Sequence, residues 1–173
     1  MKVDIGVIGA MSVEVDALIA KLENRAEELV GGVKFNTGEL FGKKIAVAMC
    51  GVGKVFAAIC AEAMIMRYSP SLLVNTGVGG ALADDLRPTD TVIAESLVQH
   101  DMDTSPLGDP VGLISGINKV YFEADERAVS ILSEAAERLG IRARRGRVAT
   151  GDKFVASREE KDRIVAEFSA DVC

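Results

Sequence analysis

Glu14 is the carboxylate whose place in the sequence best suits acid–base chemistry. It follows an apolar run over residues 3–8, a glycine at position 9 and the start of a run of helix-forming residues. A carboxylate beyond the end of a buried strand can accept a proton or stabilise positive charge, and ligands of α/β proteins commonly bind at that edge. The other interpretation is a solvated glutamate, which the helix dipole favours in a first turn.

Segment 51–54 (Gly-Val-Gly-Lys) is similar to a phosphate-binding loop but lacks residues that such loops need. A Walker loop has Ser or Thr after the lysine, where this chain has Val55, and the dinucleotide fingerprint has a third glycine where this chain has Phe56. We therefore predict no nucleoside-triphosphate site, no NAD site and no cofactor.

His100, Asp101 and Asp103 could offer an imidazole and two carboxylates to a metal ion. They would reach one ion only if the loop curled around it, and the sequence contains no second histidine. We expect a polar strand end with His100 hydrogen-bonded locally, and a metal site is the less favoured alternative.

Phe154 lies in segment 150–155 (Thr-Gly-Asp-Lys-Phe-Val), which joins a strand end to a helix start. An exposed aromatic ring there could stack on a flat heterocycle while neighbouring backbone groups bind its edge. Ordinary core packing of Phe154 is the alternative.

Composition narrows the class of protein. The net charge is −6 and no strongly basic face is evident, which argues against nucleic-acid binding. The basic residues at 142, 144, 145 and 147 are interpreted as a solvated turn. Three cysteines without a CxxC pair, no signal peptide and no long apolar run predict a cytoplasmic protein with reduced thiols and no membrane partner.

Strand and helix patterns alternate along the chain. Strands are predicted at 3–8, 33–40, 45–50, 72–75, 91–95 and 148–150, and helices at 11–22, 54–67, 125–139 and 157–168. Residues 1–173 are expected to form one α/β domain with a central mixed, largely parallel sheet flanked by helices in three layers. Strands are predicted to end at Gly9, 51–53, 77–80 and Gly151, and such glycine-rich ends converge on a ligand in sheets of this kind.

Taken together, four segments of the chain resemble the 5′-methylthioadenosine/S-adenosylhomocysteine nucleosidases of the purine nucleoside phosphorylase and uridine phosphorylase superfamily. The segments are Gly-Val-Ile-Gly-Ala-Met-Ser-Val-Glu-Val at 6–15, Cys-Gly-Val-Gly-Lys-Val at 50–55, Asn-Thr-Gly-Val-Gly-Gly-Ala-Leu at 75–82 and 150–155. They follow the order and spacing of that family.

The resemblance implies an activity and a role for each candidate residue. The family cleaves the N-glycosidic bond of an adenine nucleoside with water, through an oxocarbenium-like transition state comparable to that of glycosidases. Glu14 would polarise the water that attacks C1′. The remaining residues would bind the nucleoside. Ala10 and Met11 would lie beside the ribose, Val52 in the alkylthio pocket, and Val78, Gly79 and Gly80 beneath the nucleoside. Phe154 would stack on adenine, the backbone of Val155 would hydrogen-bond the edge of adenine, and Leu107 would reach into the 5′ pocket of a partner subunit.

Two departures from the family pattern matter. Val78 stands where many relatives have serine, and the chain lacks the Gly-Asp-Pro and arginine of the phosphorylase branches, so water is the expected nucleophile. The family also continues past the point matching Cys173 with a Glu-Met-Glu segment that grips the ribose and a Ser-Asp pair whose aspartate is the general acid. The chain is therefore expected to be a nucleosidase truncated before its C-terminal strands and helix.

The expected function is hydrolysis of 5′-methylthioadenosine or S-adenosylhomocysteine by a homodimer. A non-catalytic fragment that binds adenine nucleosides or only self-associates is one alternative. A related nucleoside phosphorylase or futalosine-type hydrolase is another.

Overall fold

The computed structural model describes residues 2–173 and divides them into two compact units, one ending at Val78 and the other running from Gly79 to Cys173. Each unit has its own sheet. The interpretation of residues 1–173 as one domain stays a prediction.

The first unit contains five strands and two helices. They are β1 (Ile5–Gly9), α1 (Ser12–Ile19), β2 (Glu23–Val30), β3 (Val33–Leu40), β4 (Lys43–Met49), α2 (Lys54–Tyr68) and β5 (Leu72–Asn75). The strand order is β2-β3-β4-β1-β5, with β1 parallel to both β4 and β5. β3 and β4 form a hairpin: they are antiparallel and joined through Phe41 and Gly42, both with positive φ, as in a type I′ two-residue turn.

Alternation along β1 and β4 gives this sheet a helix on each face. One buried cluster, on the α1 side, includes Val7, Val15, Ile45 and Val47. The other, on the α2 side, includes Ile8, Ala46, Ala48, Cys60, Met64 and Tyr68. The predicted layering of helices around a sheet is therefore present within this unit.

Strand β2 is one of the elements that the sequence pattern did not predict. Its first five residues are all exposed, so the segment shows no alternation of buried and exposed positions. It forms the sheet edge beside β3, where charged side chains discourage pairing with another chain. Glu28 of β2 accepts a hydrogen bond from the Tyr68 hydroxyl at 2.8 Å and forms an ion pair with Arg67 at 2.9 Å.

The second unit contains a three-stranded sheet with the order β7-β6-β8. Its elements are β6 (Thr91–Gln99), a 3₁₀ helix (Ser105–Leu107), β7 (Tyr121–Glu123), α3 (Glu126–Arg138), β8 (Ala143–Thr150) and α4 (Arg158–Phe168). β6 is parallel to β8 and antiparallel to β7. The last helix, predicted at 157–168, is capped by Ser157, whose side chain accepts a hydrogen bond from the Glu160 N–H.

The interpretation of the arginine cluster as a solvated turn is wrong. Arg144, Arg145 and Arg147 lie within β8, which is longer than the predicted strand at 148–150. Strand formation tolerates them because each guanidinium has partners. Arg147, for example, donates to the Ser96 hydroxyl at 2.9 Å and lies 4.2 Å from the centre of the Tyr121 ring.

The predicted α/β class is confirmed, because residues 2–173 form mixed sheets and four α-helices. Parallel pairs join β1 with β4, β1 with β5, and β6 with β8, and three further pairs are antiparallel, so parallel pairing does not predominate. None of the helices within residues 2–173 has the length and apolar character needed to cross a membrane.

Candidate active site

Three loops meet at the carboxyl edge of the first unit's sheet, where β4, β1 and β5 end. The backbone N–H of Cys50 donates to the Gly9 carbonyl at 2.9 Å, and that of Gly51 donates to the Ala10 carbonyl at 3.1 Å. On the other side, the Thr76 N–H donates to the Ile8 carbonyl at 2.9 Å. The predicted convergence of glycine-rich strand ends therefore holds within this unit for the ends at 9, 51 and 76–78.

Glu14 lies in the first turn of α1, and its carboxylate is held at this edge by three backbone N–H groups. Oε2 accepts from Ala10 at 2.6 Å and from Met11 at 2.9 Å, and Oε1 accepts from Val78 at 2.9 Å. The side chain is half-buried, so the interpretation of Glu14 as a freely solvated carboxylate is wrong.

These bonds leave a defined acceptor site on the carboxylate. A carboxylate has about four acceptor positions, two on each oxygen. Backbone donors occupy both positions on Oε2 and one on Oε1. Oε1 can therefore accept one more hydrogen bond, such as one from a water molecule whose proton it later takes.

Apolar side chains surround this carboxylate edge without being buried. Met11 is 41%, Val52 is 72% and Val78 is 77% exposed, whereas Ala10 is half-buried. Apolar residues at loop positions beside a fixed carboxylate are suited to contact the carbon skeleton of a ligand.

Cys50 belongs to the same edge but is not a candidate nucleophile. Its thiol is buried and donates to the Gly51 carbonyl at 3.1 Å. Burial raises the pKa of the Cys50 thiol, and the nearby Glu14 raises this pKa further. The protonated thiol is a poor nucleophile, so Cys50 fills space here.

Gly79 and Gly80 lie in the second unit, alongside residues 171–173. The Cys173 N–H donates to the Gly80 carbonyl at 2.9 Å, and Val172 bridges both Ala81 and Val148. A Cβ at Gly79 would clash with Cγ1 of Val172, so a side chain at position 79 would displace this pairing. Residues 171–173 therefore hold the backbone of the two glycines in place.

Phe154 is 91% exposed, in the loop that follows β8. Core packing, the alternative interpretation of this residue, is therefore wrong. Val155 is half-buried against the core formed by residues of β6, β8 and α4. An exposed ring beside an anchored backbone is suited to stacking on a planar heterocycle.

Asp101 fixes the loop that carries Phe154. Its Oδ2 accepts a hydrogen bond from the Asp152 N–H at 2.8 Å, which ties the residue after β6 to the loop after β8. The sequence suggested only a polar strand end here. The signal that could have identified this role is a carboxylate directly after one strand and a glycine-rich loop after its parallel neighbour.

His100 is buried at the end of β6, and its backbone N–H donates to the Thr150 carbonyl at 3.0 Å. Among residues 2–173, no group of three or more His, Cys, Asp or Glu side chains is arranged to hold a metal ion. Leu107 lies apart from these residues in sequence, at the end of the 3₁₀ helix, and is 83% exposed.

Comparison with known proteins adds independent information. Residues 4–173 match the model of the phosphorylase superfamily. The 5′-methylthioadenosine/S-adenosylhomocysteine nucleosidase of Oceanobacillus iheyensis is 36% identical over 164 residues, which are 95% of this chain and 71% of that protein.

Solved structures agree with this match. A mutant of Helicobacter pylori MTAN with 5′-methylthioadenosine in the active site has a TM-score of 0.94 and 32% identity, over 99% of this chain and 74% of that one. The native futalosine hydrolase of Helicobacter pylori has a TM-score of 0.91 and 33% identity, over 99% of this chain and 76% of that one. The chain thus belongs to the phosphorylase superfamily and, within it, to the 5′-methylthioadenosine/S-adenosylhomocysteine nucleosidases.

Proposed function

We propose that this chain hydrolyses the N-glycosidic bond of 5′-methylthioadenosine or S-adenosylhomocysteine and releases adenine. The observation that carries the proposal is the Glu14 carboxylate, which three backbone N–H groups hold at a ligand-accessible sheet edge with one acceptor position left. The names of the relatives support the substrate class.

In the proposed reaction, a water molecule binds to Oε1 of Glu14 and attacks C1′ of the ribose. The C1′–N9 bond breaks and its electron pair leaves with adenine. The water oxygen forms the new bond to C1′, and its proton passes to Glu14. The carboxylate also stabilises positive charge that develops on the ribose.

The binding residues divide according to the chemistry they offer. In the first unit, Ala10, Met11, Val52 and Val78 offer apolar contacts to the ribose and its 5′ substituent. In the second unit, Gly79 and Gly80 offer a flat backbone surface, Phe154 offers a ring for adenine, and the Val155 backbone offers hydrogen bonds to the edge of the base. Exposure of Phe154 and anchoring of its loop support this assignment.

Protonation of the leaving adenine needs a general acid. The resemblance assigns that role, and the grip on the ribose hydroxyls, to segments past the point matching Cys173, outside these 173 residues. Activity therefore has to be compared between this chain and a version that carries such a segment.

Self-association is part of the proposal. Helix α2 exposes an apolar stripe formed by Val55, Phe56, Ile59 and Met66, which recur at helical spacing. A second copy of the chain is the proposed occupant of this stripe, and Leu107, exposed in the second unit, is proposed to reach the partner's 5′ pocket.

A futalosine-type hydrolase is the second candidate, because a futalosine hydrolase is among the similar structures at 33% identity. Both candidates break the N-glycosidic bond of a nucleoside, and they differ in the nucleoside that is cleaved.

The deciding experiment measures release of the free base, which is adenine from 5′-methylthioadenosine and S-adenosylhomocysteine and hypoxanthine from futalosine. It uses the 173-residue chain and a version extended past Cys173 with the segment that follows the matching point in the Oceanobacillus iheyensis relative. The extended version is expected to release adenine from the first two substrates without phosphate, and Glu14→Gln is expected to slow this release by about 10²- to 10⁴-fold. An extended version that is inactive on all three substrates, or one that requires phosphate, would refute the proposal.

A further inference from the structure

Gly77 follows β5 by two residues and faces the Glu14 carboxylate directly. A Cβ at this position would lie 2.8 Å from Oε1, 3.2 Å from Cδ and 3.5 Å from Oε2 of Glu14. Its three nearest heavy atoms would thus all belong to that one carboxylate.

The backbone at position 77 does not itself demand glycine. Gly51 and Gly53 have φ values of 91° and 109°, in the region that side chains rarely adopt, but Gly77 is not among the residues with positive φ. An alanine at position 77 would therefore be free of backbone strain. Its three closest contacts would all be with the Glu14 carboxylate.

We propose that Gly77 is a positioning residue for Glu14, an inference that rests on the proposed role of Glu14 as the water-activating base. The absence of a side chain lets Oε1 approach β5 closely enough to accept the Val78 N–H at 2.9 Å. With alanine at position 77, Oε1 must retreat by about 0.6 Å, from 2.8 Å to the 3.4 Å of an ordinary contact.

This retreat has a chemical consequence. Oε1 is the oxygen with the remaining acceptor position, so it is the atom proposed to hold the attacking water. Displacement of a reacting group by about 1 Å can reduce the rate on the order of 100-fold. The contacts that other residues make with the substrate are unchanged, so the substitution is expected to lower kcat and leave KM nearly the same.

A thermal-unfolding cycle on the 173-residue chain tests the contact without any substrate. Gly77→Ala is expected to lower Tm by several degrees when Glu14 is present, and also in Glu14→Gln, whose side chain has the same size. In Glu14→Ala, the same change at position 77 is expected to leave Tm unchanged or slightly raised, since the clash is gone and the unfolded chain is less flexible.

Kinetics on the extended version separates positioning from general damage. Gly77→Ala is expected to lower kcat about 10- to 100-fold with KM changed less than threefold. Gly116→Ala is the matched control, because Gly116 also lacks positive φ and a Cβ there would meet nothing within 4 Å. The control should keep both Tm and kcat.

Two results would overturn the proposal: an equal loss of Tm with Glu14 and with Glu14→Ala, or no loss in either. The first would mean that Gly77 supports the fold without acting through Glu14, and the second that the carboxylate is not confined. If the parent protein releases no adenine, the proposed function fails, but the unfolding cycle still decides whether Gly77 positions Glu14.

Discussion

The Asp101 carboxylate accepts the Asp152 N–H at 2.8 Å, and this bond ties the ends of two parallel strands, β6 and β8, to each other. The loop so held carries Phe154 and Val155. Its geometry depends on a side chain from a distant part of the sequence.

Asp101→Ala is expected to raise KM for 5′-methylthioadenosine about tenfold, because a hydrogen bond to a charged group contributes about 1.5–3 kcal/mol. Asp101→Asn retains an acceptor oxygen and should recover most of the loss. Exposed Asp84 gives a control, Asp84→Ala, that should leave KM unchanged. Steady-state kinetics on the extended version measures all three, and an unchanged KM in Asp101→Ala would contradict the anchoring role.

Glu14→Gln is expected to lower kcat about 10²- to 10⁴-fold, which is the usual contribution of a positioned general base. The amide keeps the size of the side chain but cannot take the proton of water. Glu134→Gln, at an exposed position of α3, is the matched control and should retain full kcat. Adenine release is the measurement, and a Gln variant as fast as its parent would remove Glu14 from the mechanism.

Phe154→Ala is expected to raise KM by about 10-fold or more, since stacking of a base on an aromatic ring is worth about 1–3 kcal/mol. Phe154→Tyr keeps the ring and should remain within a factor of about two or three. Calorimetric titration with adenine alone isolates the base from the ribose. Equal affinity of the Ala variant and its parent for adenine would mean that the ring does not contact the base.

Alkaline pH is expected to destabilise the first unit through Tyr68. Burial, and then the hydrogen bond to Glu28, raise the pKa of Tyr68 to about 12 from an ordinary value of 10.0. The folded state thus holds the hydroxyl proton more tightly than the unfolded state does. The stabilisation is complete below about pH 10 and is lost as pH rises from 10 to 12.

Urea unfolding at pH 8, 10 and 11 measures this effect, with Tyr68→Phe as the variant that lacks the proton. The free energy of unfolding should fall less steeply above pH 10 in Tyr68→Phe than in the parent. Cys60, whose pKa burial raises to about 11, adds a similar alkaline loss that Tyr68→Phe retains. Identical pH slopes for the parent and Tyr68→Phe would contradict the assignment to Tyr68.

Ile59→Glu is expected to halve the mass measured by light scattering, because a charge in the α2 stripe opposes burial against a second copy. Leu139→Glu, at a position 73% exposed outside the stripe, should leave the mass unchanged. A parent protein that is monomeric at high concentration would contradict the proposed dimer.

Periodic patterns of apolar residues and turn-forming residues could be identified in the sequence, because both depend only on residues that are close together in the chain. Strand β5 was predicted with its bounds, and the helices predicted at 125–139 and 157–168 correspond to α3 and α4, which Asp125 and Ser157 cap. Strand β2 and the first half of β8 were not predicted, because ion pairs and a sheet edge let charged residues form strands there.

In the candidate site, too, local features were predicted from the sequence and contacts between distant residues were not. Glu14 was a candidate from its place after a strand and a glycine, which are local features, and the resemblance to the nucleosidases assigned its role. Its three donors were not identified, because backbone N–H groups leave no mark in a sequence, and the bond from Val78 spans 64 positions. Gly77 was visible only as part of a glycine-rich run until its distance to the carboxylate was known.

The reliance of Glu14 on backbone donors has a consequence for how such a site can diversify. Substitutions other than proline at positions 10, 11 and 78 change a side chain without removing the N–H that orients the base. The same three positions are proposed to contact the ribose and its 5′ substituent. Substitutions at these positions can therefore change the substrate preference while the water-activating carboxylate keeps its orientation. Selectivity and catalysis can then change independently of each other.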